Sequence, residues 1–256
     1  MVNINKGELS YIMFILLLLN SRVTIGQNIV TDRPDQTESA MSIIPGAIQV
    51  ETGFSMNRQD ENSIANREWA GPSTLIRLGL LKNLELRFQN ELIHWDDGQV
   101  KSSGFADAEV GFKYQLGSLE GTDHSMAFLS HFILPTGSGE LTEDGVGADI
   151  RWCVGHSLNE TVGISYNAIY SVRPNTNDQW GFSFSLAKAI GDKAGFFIEP
   201  YGTYDEEDSF LAFVDAGFTY LWSSDVQLDF SFGHGIHRRE SFVSFGFSWR
   251  HGYSKN

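Results

Sequence analysis

The sequence predicts an all-β protein, an antiparallel transmembrane β-barrel of about 12 strands with short periplasmic turns and longer acidic outer loops. Three observations predict it. From Ile48 onward, stretches of roughly ten residues alternate apolar and polar side chains between turn signals, and a period of two sends the two sets to opposite faces of a strand. The connections alternate in length around the chain, as they do in barrels of the outer membrane. An export signal stands first, and no later segment is apolar enough to cross a bilayer as a helix.

The signal is expected at residues 1–26. Lys6 precedes the apolar run from Tyr11 to Leu19, and Thr24 and Gly26 occupy the −3 and −1 positions of a cleavage site. The run is well short of the roughly 20 residues of a membrane helix, although an uncleaved anchor is the alternative. Residues 27–46 then form a polar periplasmic segment, 47–250 the barrel and 251–256 a C-terminal tail.

Strands are expected over residues 48–56, 73–80, 84–95, 105–115, 125–134, 147–156, 161–171, 180–190, 194–204, 210–221, 226–235 and 242–250. The last is the clearest, with Val243, Phe245, Phe247 and Trp249 alternating with Ser244, Gly246 and Ser248. Short turns follow at Leu81-Lys82-Asn83, 157–160, Gly191-Asp192-Lys193 and 222–225, with a longer one at 117–124. The opposite set of connections is 57–72, 96–104, 135–146, 172–179, 205–209 and 236–241. An even strand count puts both termini at the short-turn end.

One face of these strands is fit for lipid, for example Ile76, Leu78 and Leu80, Phe182, Phe184 and Leu186, and Leu228, Phe230 and Phe232. Trp95, Tyr114, Trp180, Tyr204, Tyr220 and Trp249 near strand ends suit interfacial girdles. A hydrophobic share of 41% suits a barrel, which needs apolar residues on one face only. A soluble sandwich or lipocalin-like core is disfavoured by the Gly, Ser and charged residues on the other face.

That other face supplies the candidate pore lining: Glu51, Arg77, Glu85, Arg87, Glu91, Asp107, Glu109, Lys113, Asp149, Arg151, Glu199, Asp215 and Asp229. Glu85, Arg87, Glu91, Asp107, Glu109 and Arg151 are expected at the constriction. Arg77, Arg87 and Lys113 can pair with Glu85, Asp107 and Glu109 across neighbouring strands. Two readings stand: a polar passage with a mild preference for cations, or an ion-pair ladder that fills a narrow lumen. Twelve strands lie between the filled eight-stranded barrels and the open porins, so strand number leaves the choice open.

The formal charge is −14, and the signal, with Lys6, Arg22 and Glu8, takes one net positive charge with it when removed. Such acidity argues against nucleic acid, which needs clustered Lys and Arg. Acid collects in the outer connections at Asp60-Glu61, Asp96-Asp97, Glu143-Asp144 and Asp205-Glu206-Glu207-Asp208. These form a solvated rim that can meet divalent ions at a lipopolysaccharide surface, without the ligand spacing of a dedicated calcium loop. Cys153, the single cysteine, excludes an internal disulfide and is expected in an apolar, buried or lipid-facing role.

Catalytic signals are weak, and no enzyme is expected. The seven histidines show no HxxxH or HExxH spacing, so no metal or cofactor is expected. Ser130 and His131 are adjacent, which on a strand sends them to opposite faces. His234 and His237 fall at a strand end and a loop. Pro135-Thr136-Gly137-Ser138-Gly139 lacks the Lys-Ser/Thr and the helix of a phosphate loop and reads as a strand-ending turn.

Thr31-Asp32-Arg33-Pro34-Asp35-Gln36-Thr37-Glu38 supports two readings. It can fold into the periplasmic mouth, with Arg33 bridging lumen carboxylates, or it can simply lead the chain into the first strand. This segment with Ser39, followed by Pro45-Gly46-Ala47-Ile48-Gln49-Val50-Glu51, resembles the start of the family described as Putative MetA-pathway of phenol degradation. Leu134-Pro135-Thr136-Gly137, Asp215-Ala216-Gly217-Phe218-Thr219-Tyr220, Val226-Gln227-Leu228-Asp229 and Gly246-Phe247-Ser248-Trp249 are similar to it as well. The resemblance implies an outer-membrane β-barrel of a Gram-negative bacterium, linked to uptake of aromatic or other hydrophobic compounds, and supplies no catalytic residues. Trp249 stands where many outer-membrane barrels carry a terminal aromatic assembly signal, here followed by a short tail.

The expected function is passage of small solutes, with selectivity from pore diameter and charged lining. The expected partners are outer-membrane lipid and lipopolysaccharide, the barrel assembly machinery and a small-molecule solute. A non-conducting structural or adhesive barrel is the second reading, and a lipid-modifying membrane enzyme the third.

Overall fold

A computed structural model describes residues 28–61, 64–96, 98, 100–118, 124–174, 176–205, 210–236 and 238–252. The signal expected at 1–26 and most of the acidic run from 205 to 208 lie outside the described residues. The strands are β1 (Ile48–Glu61), β2 (Ile64–Leu81), β3 (Leu84–Asp96), β4 (Lys101–Phe105), β5 (Ala108–Ser118), β6 (His124–Leu134) and β7 (Gly147–Ser157). They continue as β8 (Val162–Val172), β9 (Gln179–Ile190), β10 (Ala194–Asp205), β11 (Leu211–Ser223), β12 (Val226–Gly235) and β13 (Glu240–His251). Every neighbouring pair is antiparallel, and β1 pairs with both β2 and β13, which closes the sheet into a barrel. Because β4 and β5 both pair with β3, they are two halves of one stave, and the barrel has 12 staves. Closure pairs the staves on both sides, the condition for a sheet in lipid, and among the described residues only the short β4 at the rim is paired on one side alone.

The short turns are built by residues that tolerate left-handed backbone: Asn83 (φ 71°) joins β2 to β3 and Gly191 (φ 65°) joins β9 to β10. The outer surface is apolar along the staves. Phe230 pairs with Phe218 on one side and Phe245 on the other, and all three rings face outward. Trp180, expected in a girdle, is exposed, and exposed Trp69, Trp152 and Trp222 add to the outward aromatic residues.

Two local differences from the sequence expectation have physical causes. Within 57–72, expected as a loop, residues 57–61 extend β1 and residues 64–72 extend β2. Asn57 Nδ2 donates to Glu68 Oε1 at 2.9 Å, and the ladder runs to Asp60–Ala65 and Glu61–Ile64. Pro72, which reads as a strand stop, is absorbed in a bulge where the register slips between Ala70 and Ser73. A bulge is where a residue without an N–H fits a sheet. The fourth expected strand is bent at Ala106-Asp107, where Ala106 N–H donates to Glu91 O (2.8 Å) and Asn90 Nδ2 donates to Ala106 O (2.9 Å). The connection after β6 contains a single 3-10 turn, Gly139–Leu141.

Candidate functional site

The lumen is occupied by the chain's own N-terminal segment. It starts at the short-turn end, where Ile29 N–H donates to Ser224 O in the β11–β12 turn (2.7 Å). It climbs to Arg33-Pro34-Asp35, crosses the lumen, and returns to Gly46, whose N–H donates to Gly79 O (2.8 Å). Ile29, Asp32, Thr37, Ala40 and Ile43 are all buried.

One side of this plug is bound by charge. Lys113 Nζ lies 2.7 Å from Asp32 Oδ2 and 3.4 Å from Glu38 Oε2. Arg87 reaches Asp32 (2.6 Å), Glu38 (2.9 Å) and Glu85 (3.0 Å), and Arg77 reaches Glu85 (2.8 Å), Glu51 (2.9 Å) and Asp32 (3.2 Å). Three wall cations thus meet two wall carboxylates and two plug carboxylates. Both carboxylates facing Lys113 belong to the plug, so the wall's charge is matched only when the plug is in place. Such buried charges are tolerated because each is paired and hydrogen-bonded. Glu51 Oε2 also accepts the Asp32 and Arg33 backbone N–H groups (2.9 and 3.1 Å), and Glu85 accepts Ile43 N–H (2.7 Å).

Arg33 ties the plug to the adjoining β12–β13 wall, donating to Asp229 Oδ1 (3.0 Å) and Ser244 Oγ (3.1 Å). Its guanidinium fits because Gly53 and Gly246 face it: a Cβ would stand 2.3 Å and 2.6 Å from Arg33 Nη2. Beyond it, Gln36 N–H donates to Glu199 Oε2 (2.6 Å), the Thr37 hydroxyl meets Glu199 and Ser183, and Glu38 N–H donates to Asn167 Oδ1 (2.8 Å). Ala40 closes a small apolar contact with Ala127, Leu129 and Cys153, which puts the cysteine on the lumen face against the plug.

Two cavities flank the plug. The one toward the long loops holds about 490 Å³ and is lined by Glu91, Glu109, Asp149, Arg151, Tyr201 and Glu240 among others. The one toward the short turns holds about 580 Å³ and is lined by residues of the β7–β8 and β9–β10 turns with Phe197 and Gln227. Arg33, Pro34 and Asp35 line both, so this apex is the partition between them.

The candidate lining residues therefore fall into distinct places. Glu51, Arg77, Glu85, Arg87 and Lys113 lie in the buried ion-pair cluster, and Glu199, Asp215 and Asp229 on the wall around the partition. Glu91, Glu109, Asp149 and Arg151 face the loop-end cavity, where Glu109 Oε2 lies 2.8 Å from His131 Nδ1 and Asp149 pairs with Arg173 (2.9 Å). Neither Glu109 nor Asp107 is among the partners of Arg77, Arg87 and Lys113. Asp107 lies at the bend and holds the β6–β7 loop, accepting Thr136, Gly137 and Glu143 N–H groups and the Thr142 hydroxyl at 2.7–2.9 Å. Burial raises its carboxyl, but the donors of Glu143, Thr142, Gly137 and Thr136 outweigh that and hold it below the usual carboxylate range. Plug residues Gln36, Thr37, Glu38 and Ser42 also join the site, and only their polarity ahead of the first strand signals it in the sequence.

For hydrolytic chemistry, Ser103 Oγ and His94 Nδ1 do meet, at 2.5 Å near the long-loop end. Among the described residues no carboxylate is shown hydrogen-bonded to the His94 ring, as a triad would require. Among the same residues no group of three His, Cys, Asp or Glu is arranged to hold a metal ion.

The family model described as Putative MetA-pathway of phenol degradation matches residues 31–251. Among solved structures, the chain is similar to the COG4313 outer membrane channel from Pseudomonas putida F1, at 12% identity and a TM-score of 0.66, covering 82% of this chain and 97% of that one. It also resembles the KdgM porin in complex with disordered oligogalacturonate (10% identity, TM-score 0.55, 78% and 98% covered). A third similar structure is the translocator domain of the autotransporter NalP from Neisseria meningitidis (9% identity, TM-score 0.51, 81% and 88% covered). At these identities the likeness is one of fold, the closed barrel of the outer membrane. No curated protein matches the chain.

Proposed function

The chain belongs to the family described as Putative MetA-pathway of phenol degradation, and we propose that it is an outer-membrane channel for small solutes whose passage is controlled by its own N-terminal segment. The observation that carries this reading is the pair of cavities, about 490 and 580 Å³, that open toward opposite ends of the barrel and meet at the Arg33-Pro34-Asp35 partition. Both volumes fall in the range of small-molecule sites. The attachment is graded: one flank of the plug is fixed by buried ion pairs, while the apex is held by Arg33 on Asp229 and Ser244. A shift of the apex alone would join the cavities and leave the ion-pair cluster in place. The channel named in the Pseudomonas structure supports the reading by its shared fold, and the family description makes aromatic compounds the first solutes to try.

The test is uptake by liposomes that contain the purified, heat-modifiable barrel. Swelling in small sugars and in phenol, graded by solute size, is expected. A folded barrel that admits none of them would favour the second reading, a structural barrel. That reading draws its own support from the complete pairing of Arg77, Arg87 and Lys113.

A further inference from the structure

The cross-section at the partition is electrically lopsided. On the β2–β5 side every cation is matched. On the β9–β11 side, β10 and β11 set Glu199 directly opposite Asp215 in register, where like charges repel. Plug residue Asp35, on the partition between the two cavities, adds a third carboxyl. None of the three is in an ion pair among the described residues. Arg151, whose field reaches Glu199, gives its guanidinium to Gln36 O (3.2 Å) instead.

Asp215 is the telling member. It is 2% exposed and faces the lumen, and among the described residues neither carboxylate oxygen has a hydrogen-bond donor beside it, only the facing carboxyl of Glu199. A buried carboxylate without a donor is costly and marks a missing partner. Ser185 on β9 and Ser231 on β12 also carry buried hydroxyls without partners among the described residues. These groups lie on the β9–β12 wall, and plug residue Asp35 faces both cavities; Gln49 Oε1 and the Ser248 hydroxyl, also unmatched among the described residues, lie across at β1 and β13.

We propose that Asp35, Glu199 and Asp215 form the resting site of a small permeating cation, an alkali-metal or ammonium ion, on the route between the two cavities. Carboxylate and hydroxyl oxygens suit a hard cation. Among the described residues no group of three His, Cys, Asp or Glu is arranged to hold a resident metal; the ion meant here keeps most of its water and passes on. Conduction needs such a site, favourable to enter and weak enough to leave. The route then runs along β9–β11, opposite the ion-pair cluster, and makes the passage cation-selective. This inference rests on the channel reading and adds its ion and its path.

The test is the reversal potential of the full mature chain in planar bilayers under a KCl gradient. Wild type is expected to favour K⁺ over Cl⁻, and Asp35→Asn with Asp215→Asn to lower that ratio several-fold at retained conductance. Glu91→Gln with Glu109→Gln, in the wide loop-end cavity, is expected to change it less. An unchanged ratio in the conducting Asp35/Asp215 variant overturns the cation route and leaves the channel intact. A folded wild type without conductance overturns both. Should Asp215→Asn fail to give a heat-modifiable barrel, Asp35→Asn alone, on the plug and outside the wall, decides by the same ratio.

Discussion

Lys113 on β5 and Asp32 in the N-terminal segment approach to 2.7 Å inside the barrel, both buried, so the wall and the chain that fills it share one ion pair. Asp32 lies the same way against Arg87 and Arg77. A single plug carboxylate therefore holds together three wall cations that would otherwise be left with Glu38, Glu51 and Glu85.

Replacing that carboxylate should be costly. Asp32→Asn leaves buried positive charge short of a partner, a change worth about 3–5 kcal/mol. We expect the temperature at which the barrel loses its fast gel mobility to fall, and openings in bilayers to become larger and more frequent. A variant as stable and as closed as wild type would show that the plug does not depend on this cluster.

Cys153 provides a lock. It lies in one buried apolar contact with Ala40 of the plug. Ala40→Cys should form a disulfide with Cys153 under mild oxidation, read as loss of both thiols to a maleimide polymer. Oxidised barrels should pass less solute than reduced ones. Equal flux in the two states would mean that this part of the plug does not move during passage.

The outer face can be tested independently of the lumen. Phe230 sits mid-strand between Phe218 and Phe245 and faces outward. Phe230→Arg should cost about 2–4 kcal/mol at the bilayer midplane, measured by denaturant titration in lipid vesicles. Indifference to the charge would contradict a lipid-facing wall.

Asp107 gives a pH dependence with a defined sign. Its carboxyl is held below the usual range when folded, so its hold on the β6–β7 loop is fully present above the ordinary carboxylate value. The hold is lost as pH falls through the lowered folded value. Hydrogen exchange at Gly137 and Glu143 should therefore stay slow down to mildly acidic pH and quicken below it. In Asp107→Asn it should be fast throughout. Identical exchange in variant and wild type would remove Asp107 from that role.

The barrel was legible because alternation with a period of two survives wherever a strand is unbroken, as in β12 and β13. It fails where the strand is interrupted. Asp107 shares the parity of Glu109 and Lys113, yet the bend at Ala106 turns it out of the lumen and onto a loop. Pro72 and the polar run from Asn57 read as a loop because a bulge leaves no mark in a polarity pattern. The plug was half legible. Its polarity and its Pro show in the sequence, but Arg33 and Asp229 stand 196 residues apart, and only closure of the barrel brings them together. Gly53 and Gly246 likewise read as small lumen residues until Arg33 is seen between them.

The most direct test of a self-plugged channel is single-channel recording of the barrel with its N-terminal segment beside a form lacking residues 28–44, both shown to be folded by heat-modifiable mobility. We predict small, intermittent steps for the intact chain and large, steady ones for the shortened barrel. Equal conductance in the two, or none in either, would contradict the account.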